Sequence, residues 1–180
     1  LNPENQFTLS ADVLNYLFSE LQKMNPKVIL EFGSGYSTRL FANWFQKYHK
    51  PGVLISIDQE ESYLNESRKG LKFENVFYYP LLSRTNDFGY LLDQKFIAEI
   101  TQKHGKIDFI LVDGPYGSWM ARKNTLTEIL NFCNSGAVWY LDDSFRDSEL
   151  AIMKSWMKYD KIKAEGIINI GKGLGKGTIK

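Results

Sequence analysis

The chain has 180 residues, 43% of them hydrophobic and 24% charged, which fits one globular domain with a substantial core. Lys plus Arg (22) nearly cancel Asp plus Glu (21), so a formal charge of +1 gives no electrostatic ground for a nucleic-acid or membrane partner. The single cysteine excludes an intramolecular disulfide and a cysteine-based zinc cluster, and no apolar run approaches the roughly 20 residues that span a bilayer. The opening Leu-Asn-Pro-Glu-Asn lacks the basic-then-apolar pattern of a signal peptide, so a cytoplasmic location is expected.

Val13, Leu14, Leu17, Phe18, Leu21 and Met24 recur at helical spacing behind a candidate N-cap, Ser10. Asn25-Pro26 ends this helix, expected over about 11–24. A buried strand at 28–32 follows, then a helix with Leu40, Phe41, Trp44, Phe45 and Tyr48 on one face. Pro51-Gly52 turns the chain into a strand at 53–57, ahead of a polar surface helix within 60–70 and a third strand at 75–79. The stretch 83–89 reads as a loop. Leu92, Phe96, Ile97 and Ile100 mark another amphipathic helix, stopped by Gly105. A fourth buried strand at 107–112 runs into Asp113-Gly-Pro-Tyr-Gly117. Leu126, Ile129, Leu130 and Cys133 form the buried face of the next helix, and Gly136 precedes a strand at 137–141 closed by Asp142-Asp143. Leu150, Met153 and Met157 mark a last helix, and 162–170 and 177–180 flank a Gly/Lys-rich turn as a terminal hairpin.

Strands alternating with helices, written as apolar runs, imply a mostly parallel sheet covered on both faces. The strand ends gather on one edge, where ligands bind in open α/β sheets. There, Glu31-Phe-Gly-Ser-Gly35 breaks a strand into a Gly-x-Gly turn, and Asp58 closes the next strand. Glycines admit a tight turn and close approach of a ligand, and an acid at the second strand tip accepts hydrogen bonds from ribose hydroxyls. A nucleoside-containing cofactor is therefore expected. The bland alternatives are a purely structural turn at Gly33 and Gly35 and a helix-capping Asp58. Gly166-Ile-Ile-Asn-Ile-Gly-Lys172 imitates a phosphate-binding loop, but Gly173 stands where Ser or Thr is required and no helix is expected to follow.

In these residues the chain resembles the class I S-adenosylmethionine-dependent methyltransferases. Glu31-Phe-Gly-Ser-Gly35 matches the first motif, Asp58 the ribose acid, Ile107-Asp-Phe-Ile-Leu-Val-Asp113 the fourth strand, and Ser135-Gly-Ala-Val-Trp-Tyr-Leu-Asp142 the fifth. The resemblance implies an α/β, Rossmann-like three-layer sandwich formed by 1–180 as a single domain. Its seven-stranded sheet would have the order 3-2-1-4-5-7-6, with the last strand antiparallel. It implies S-adenosylmethionine as cofactor, contacted by Glu31, Gly33, Ser34, Gly35, Asp58, Gln59 and Asp113, with the adenine near 81–84. A carboxylate at Glu31 suits the methionine amine, directly or through water. Where a dinucleotide site needs a third glycine, Gly33-Ser-Gly-Tyr-Ser-Thr38 has threonine. A small dinucleotide-binding oxidoreductase and a non-catalytic interaction domain on the same fold stay as alternatives.

Asp113, Asp142 and Asp143 are the catalytic candidates, with Asp113 as leading base. Catechol-type and caffeoyl-CoA-type relatives place magnesium ligands there, but this chain has Tyr116 where they carry lysine and Asp143 where they carry asparagine, so no metal is expected. Clustered carboxylates raise one another's pKa, which suits a base near neutral pH. Tyr36, Tyr116, Trp119, Arg122 and Arg146 fall around the same edge as candidate substrate contacts. The expected reaction is O-methylation of a small molecule or carbohydrate. His49 and His104 fall near helix C-termini, and Cys133 reads as packing.

Overall fold

The computed structural model describes residues 9–83 and 90–180. Helix α1 (Ala11–Met24) starts at Ser10, whose Oγ accepts the Val13 N–H, and stops at Asn25 in the left-handed conformation (φ 50°). It is followed by β1 (Val28–Phe32), α2 (Tyr36–Lys47), β2 (Val53–Asp58), α3 (Glu61–Arg68) and β3 (Val76–Pro80). The second half adds α4 (Gln94–His104), β4 (Ile107–Val112), α5 (Lys123–Ile129), β5 (Cys133–Leu141), α6 (Asp147–Trp156), β6 (Ile162–Ile168) and β7 (Leu174–Ile179).

The seven strands form one sheet in the order β3-β2-β1-β4-β5-β7-β6, and β7 runs antiparallel to both of its neighbours. The expected architecture is thus the observed one. Successive strand residues point to opposite faces. Leu30, Ile55, Ile110 and Trp139 pack under α4, α5 and α6, while Ile29, Leu54, Phe109 and Tyr140 pack under α1 and α2. Trp139 and Trp156 meet edge to face at 5.4 Å, and the Trp156 indole N–H donates to the Lys123 carbonyl (2.7 Å), which ties α6 to α5. On the other face a buried carboxylate docks α1: Glu20 Oε2 accepts from the Tyr140 hydroxyl (2.8 Å) and pairs with Lys176 (2.9 Å).

Several boundaries differ from the sequence expectation. Cys133 is not on a helix face. Helix α5 ends at Ile129, a 3-10 turn covers Leu130–Phe132, and Cys133 opens β5 opposite Ile107. Its burial is kept. Strand β5 accordingly starts before Gly136, which sits inside it at φ 86° where the register against β4 shifts. Tyr48 and Met157 lie just past their helices and are exposed. Leu92 is buried but precedes the α4 N-cap, Asp93. The hairpin strands are 162–168 and 174–179, so the turn is shorter than expected. The expected loop at 83–89 lies largely outside the described residues, and its flanks Leu82–Ser83 and Tyr90–Leu91 pair as a two-residue antiparallel ladder.

Candidate active site

The floor of the site is the turn between β1 and α2. Strand register sets Glu31 beside Ser56, both on the face covered by α2. Glu31 Oε1 accepts the Ser56 hydroxyl (2.7 Å) and that of Thr38, and Thr38 Oγ1 in turn accepts the Gly35 N–H (2.9 Å). The Ser56 and Ser34 hydroxyls are 2.7 Å apart. Glu31 Oε2 is buried with no hydrogen-bond partner among the described residues. Burial pushes the Glu31 carboxyl up to about 7, against the opposing hydroxyls of Ser37, Thr38 and Ser56. Glu31 is therefore a strut beneath the Gly-x-Gly turn, and it is absent from the cavity wall.

Asp58 reaches the wall. Its Oδ2 accepts the Ser34 N–H (2.6 Å) and its Oδ1 the Glu60 N–H (2.8 Å). Burial raises its pKa, and those two backbone donors oppose the rise. Gly33 (φ +99°) is demanded by contact between chain segments: an added Cβ would lie 2.9 Å from Gly114 N and 3.1 Å from the Asp113 carbonyl carbon. At Gly35 an added Cβ would meet no atom of the described residues within 4 Å.

Above this floor lies a cavity of about 320 Å³, at the small end of the range for ligand sites. One end is lined by Gly33, Ser34, Gly35, Tyr36, Asp58 and Gln59. Gln59 Oε1 is buried there without a hydrogen-bond partner among the described residues. Leu81 supplies an apolar wall, and of the stretch 81–84 it is the residue whose side chain is described. The Tyr116 hydroxyl donates to Glu60 Oε1 (2.8 Å), linking the loop after β4 to that after β2.

At the other end stand Asp113, Asp142 and Asp143, with carboxylate oxygens within 4.8 Å of one another. Burial and the neighbouring Asp142 carboxylate lift Asp113 well above the ordinary range, while Arg122 partly offsets the rise. Burial and Asp143 raise Asp142 as well. Burial and mutual repulsion thus push both carboxyls of this pair upward. The buried Arg122 guanidinium lies among these acids. Its Nη1 donates to the Asp142 carbonyl (3.0 Å), and its Nη2 is 3.3 Å from Asp143 Oδ2 and 3.9 Å from Asp113 Oδ1. Glu149, buried on the first turn of α6, is 3.8 Å from Nη1.

A family model described as a methyltransferase domain matches residues 30–144, the segment that builds this floor and both ends of the cavity. The chain belongs to the methyltransferase-domain family. No curated protein sequence matches it. Solved structures that share the fold of this methyltransferase include the following three. An S-adenosylhomocysteine-bound methyltransferase from Podospora anserina aligns with TM-score 0.70 at 15% identity, over 99% of this chain and 82% of its own. An O-methyltransferase from Bacillus cereus in complex with S-adenosylhomocysteine gives 0.71 at 14%, over 97% and 84%. The O-methyltransferase TomG from Streptomyces achromogenes, in complex with S-adenosylmethionine, gives 0.71 at 16%, over 98% and 83%.

Of the residues expected at the site, the methyltransferase cavity brings together Gly33, Ser34, Gly35, Tyr36, Asp58, Gln59, Asp113, Tyr116, Arg122, Asp142, Asp143 and Arg146. Two are not on its wall: Glu31, beneath the floor, and Trp119, which is 53% exposed. Sequence reasoning missed Leu9, Ser148, Glu149 and Lys172 on the wall, and the buried, central place of Arg122. Glu149 carried a signal, as an acid in the first turn of a helix that starts at the sheet edge. Lys172 carried none, because the Gly/Lys-rich run reads as an ordinary turn.

Proposed function

We propose that this methyltransferase binds S-adenosylmethionine in the cavity and transfers its methyl group to an oxygen of a small molecule or carbohydrate, acting in the cytoplasm. The observation that carries the reading is the continuity of one cavity from Gly33–Gly35 and Asp58 to the Asp113–Asp142 pair. The residues suit the cofactor: Gly35 leaves the floor open, Gln59 has a buried amide oxygen with no partner among the described residues, and Asp58 keeps lone pairs for ribose hydroxyls beyond its two backbone donors. The bound cofactors of the Bacillus cereus and Streptomyces achromogenes proteins support the same assignment. A dinucleotide site is disfavoured because Thr38, in place of a third glycine, is engaged with Glu31 and Gly35.

When bound, the cofactor supplies a sulfonium methyl group, which an acceptor oxygen takes in one displacement as the C–S electron pair returns to sulfur. The chain's own part is to position and to remove a proton. Asp113, with Asp142 and Asp143 beside it, accepts the proton from the acceptor hydroxyl, its affinity for a proton raised by burial and the neighbouring carboxylates. Arg122 keeps the paired carboxyls from being pushed further toward the fully protonated form. Most of the rate comes from holding the oxygen in line, as positioning can supply about 7 kcal/mol or more. Arg122 provides the cation the acids need, so the reading assigns no metal.

Calorimetry with S-adenosylhomocysteine tests the assignment. Asp58→Ala is expected to weaken binding by about 1–3 kcal/mol, the cost of unmade hydrogen bonds to a buried polar ligand. Tight binding of NAD with no response to S-adenosylhomocysteine would instead point to the oxidoreductase reading.

A further inference from the structure

The formal charge of +1 is the sum of two unlike ends. Every helix runs back across the sheet, so the connections from helix to strand lie at the edge opposite the cavity. Those connections, with the last helical turns before them, carry Lys27, Lys47, Lys50, Lys72, Lys103, Lys106, Lys158 and Lys161. All are exposed except the half-buried Lys50, and none has an ion-pair partner among the described residues. Lys23 and Lys69 are paired with Glu20 and Glu66 (2.8 and 2.5 Å). Against the eight stand Glu74, Asp160 and, on β4, Asp108, whose Oδ2 accepts the Lys27 and Val28 N–H groups (2.9 and 3.2 Å). Cationic charge is in excess here even with every one of these acids ionised. The helix dipole favours Lys47 and Lys103 but fades within a turn, so it does not account for the lysines beyond the helix ends.

We propose that this lysine edge docks the chain on an anionic lipid surface, with the cavity facing away into water. The cations are spread along the sheet from the start of β2 to the start of β6, about 24 Å at the usual strand spacing, which a small anion cannot span and a charged plane can. A second observation points to lipid. Met157, 60% exposed, and Tyr159 stand out beside Lys158 and Lys161, and exposed Tyr48 stands beside Lys47. Apolar and amphipathic tips set among lysines suit the boundary between headgroups and acyl chains. A nucleic acid fits less well. Lysine is a point charge without the arginine fork, and Arg68, the one arginine in these segments, lies 4.2 Å over the Tyr78 ring. Met157 offers no ring on which a base could stack.

Co-sedimentation of the full chain with vesicles tests this. The probes are phosphatidylcholine vesicles with and without about one third phosphatidylserine. Partition onto the anionic vesicles is expected to be about tenfold tighter or more at low salt, with the margin shrinking as salt is raised. The Lys106→Gln/Lys158→Gln/Lys161→Gln variant is expected to lose about tenfold or more of that binding. Met157→Ser/Tyr159→Ser is expected to lose severalfold while keeping the salt dependence, and Arg146→Gln, which removes a cation at the cavity edge, to bind as wild type. Equal binding of the unaltered chain to both vesicle types would overturn the proposal without recourse to any variant. So would lysine or apolar variants that bind as wild type, or an Arg146→Gln loss as large as that of the lysine variant. Tighter binding to oligo-uridylate than to the anionic vesicles would make the partner a nucleic acid instead.

Discussion

At the scale of single residues, Glu31 carries a measurable consequence of its burial. Its carboxyl, normally near 4.5, is raised to about 7 in the folded chain. Below pH 4.5 both folded and unfolded chains hold the proton, and the stabilisation is fully present. Between the two values the folded chain keeps a proton that the unfolded chain has lost, so stability falls as pH rises and the contribution is gone above 7. The fall is up to roughly 3 kcal/mol, at about 1.4 kcal/mol per pH unit. Glu31→Gln mimics the protonated form and keeps an oxygen for Ser56 and Thr38. It is expected to unfold with a flatter pH dependence than wild type across this window and to be the more stable of the two at pH 8. Parallel curves in calorimetric melts would sink the account. The sequence showed an acid at the right strand position for a cofactor contact. It did not show depth, because alternation along a strand gives the face of a residue and says nothing of its distance from solvent. Arg122 was legible as a residue of this edge and not in its depth, because the buried acids it meets, Asp113, Asp143 and Glu149, come from two strand ends and the first turn of α6.

At the scale of elements, the turn after β1 and the loop after β4 touch backbone to backbone. Gly33→Ala adds a Cβ 2.9 Å from Gly114 N at a φ of +99°, so it must pay both for an unfavourable conformation and for moving a second chain segment. Gly70→Ala is the matched control: φ is +74° there, but no atom of the described residues lies within 4 Å. The expected loss is about 1 kcal/mol at Gly70 and about 2–4 kcal/mol at Gly33, read from urea midpoints. Equal losses would mean that the close approach contributes nothing. Elements were legible where periodicity and punctuation agreed, as in α1 between Ser10 and Asn25 or in the five-residue buried run of β1. They were not legible where one pattern ran on past its element. Leu126, Ile129, Leu130 and Cys133 keep helical spacing, yet Cys133 is drawn into the ladder opposite Ile107, and the pairing decides.

At the scale of the whole molecule, a parallel sheet delivers remote residues to one edge. Asp58, Asp113 and Asp142 end or follow strands that all run the same way. Strand β6 shares that direction, because β7 is antiparallel to both it and β5, so the turn carrying Lys172 also arrives at this edge. The edge therefore collects its own counter-ions from three separate loops. This bears on metal dependence. Mg²⁺ takes oxygen ligands at about 2.0–2.1 Å and keeps several waters. Here an ion would have to enter beside a buried guanidinium 3.3 Å from Asp143 and 3.9 Å from Asp113, against like charge. Melts of the S-adenosylhomocysteine-bound chain are expected to be the same in EDTA and in millimolar Mg²⁺. A magnesium site held at a hundred times its dissociation constant would add about 2.7 kcal/mol, a rise that melting resolves readily. If Mg²⁺ did stabilise the chain and Asp142→Asn abolished the effect, Arg122 would have to give way to the ion. The three aspartates would then be its ligands.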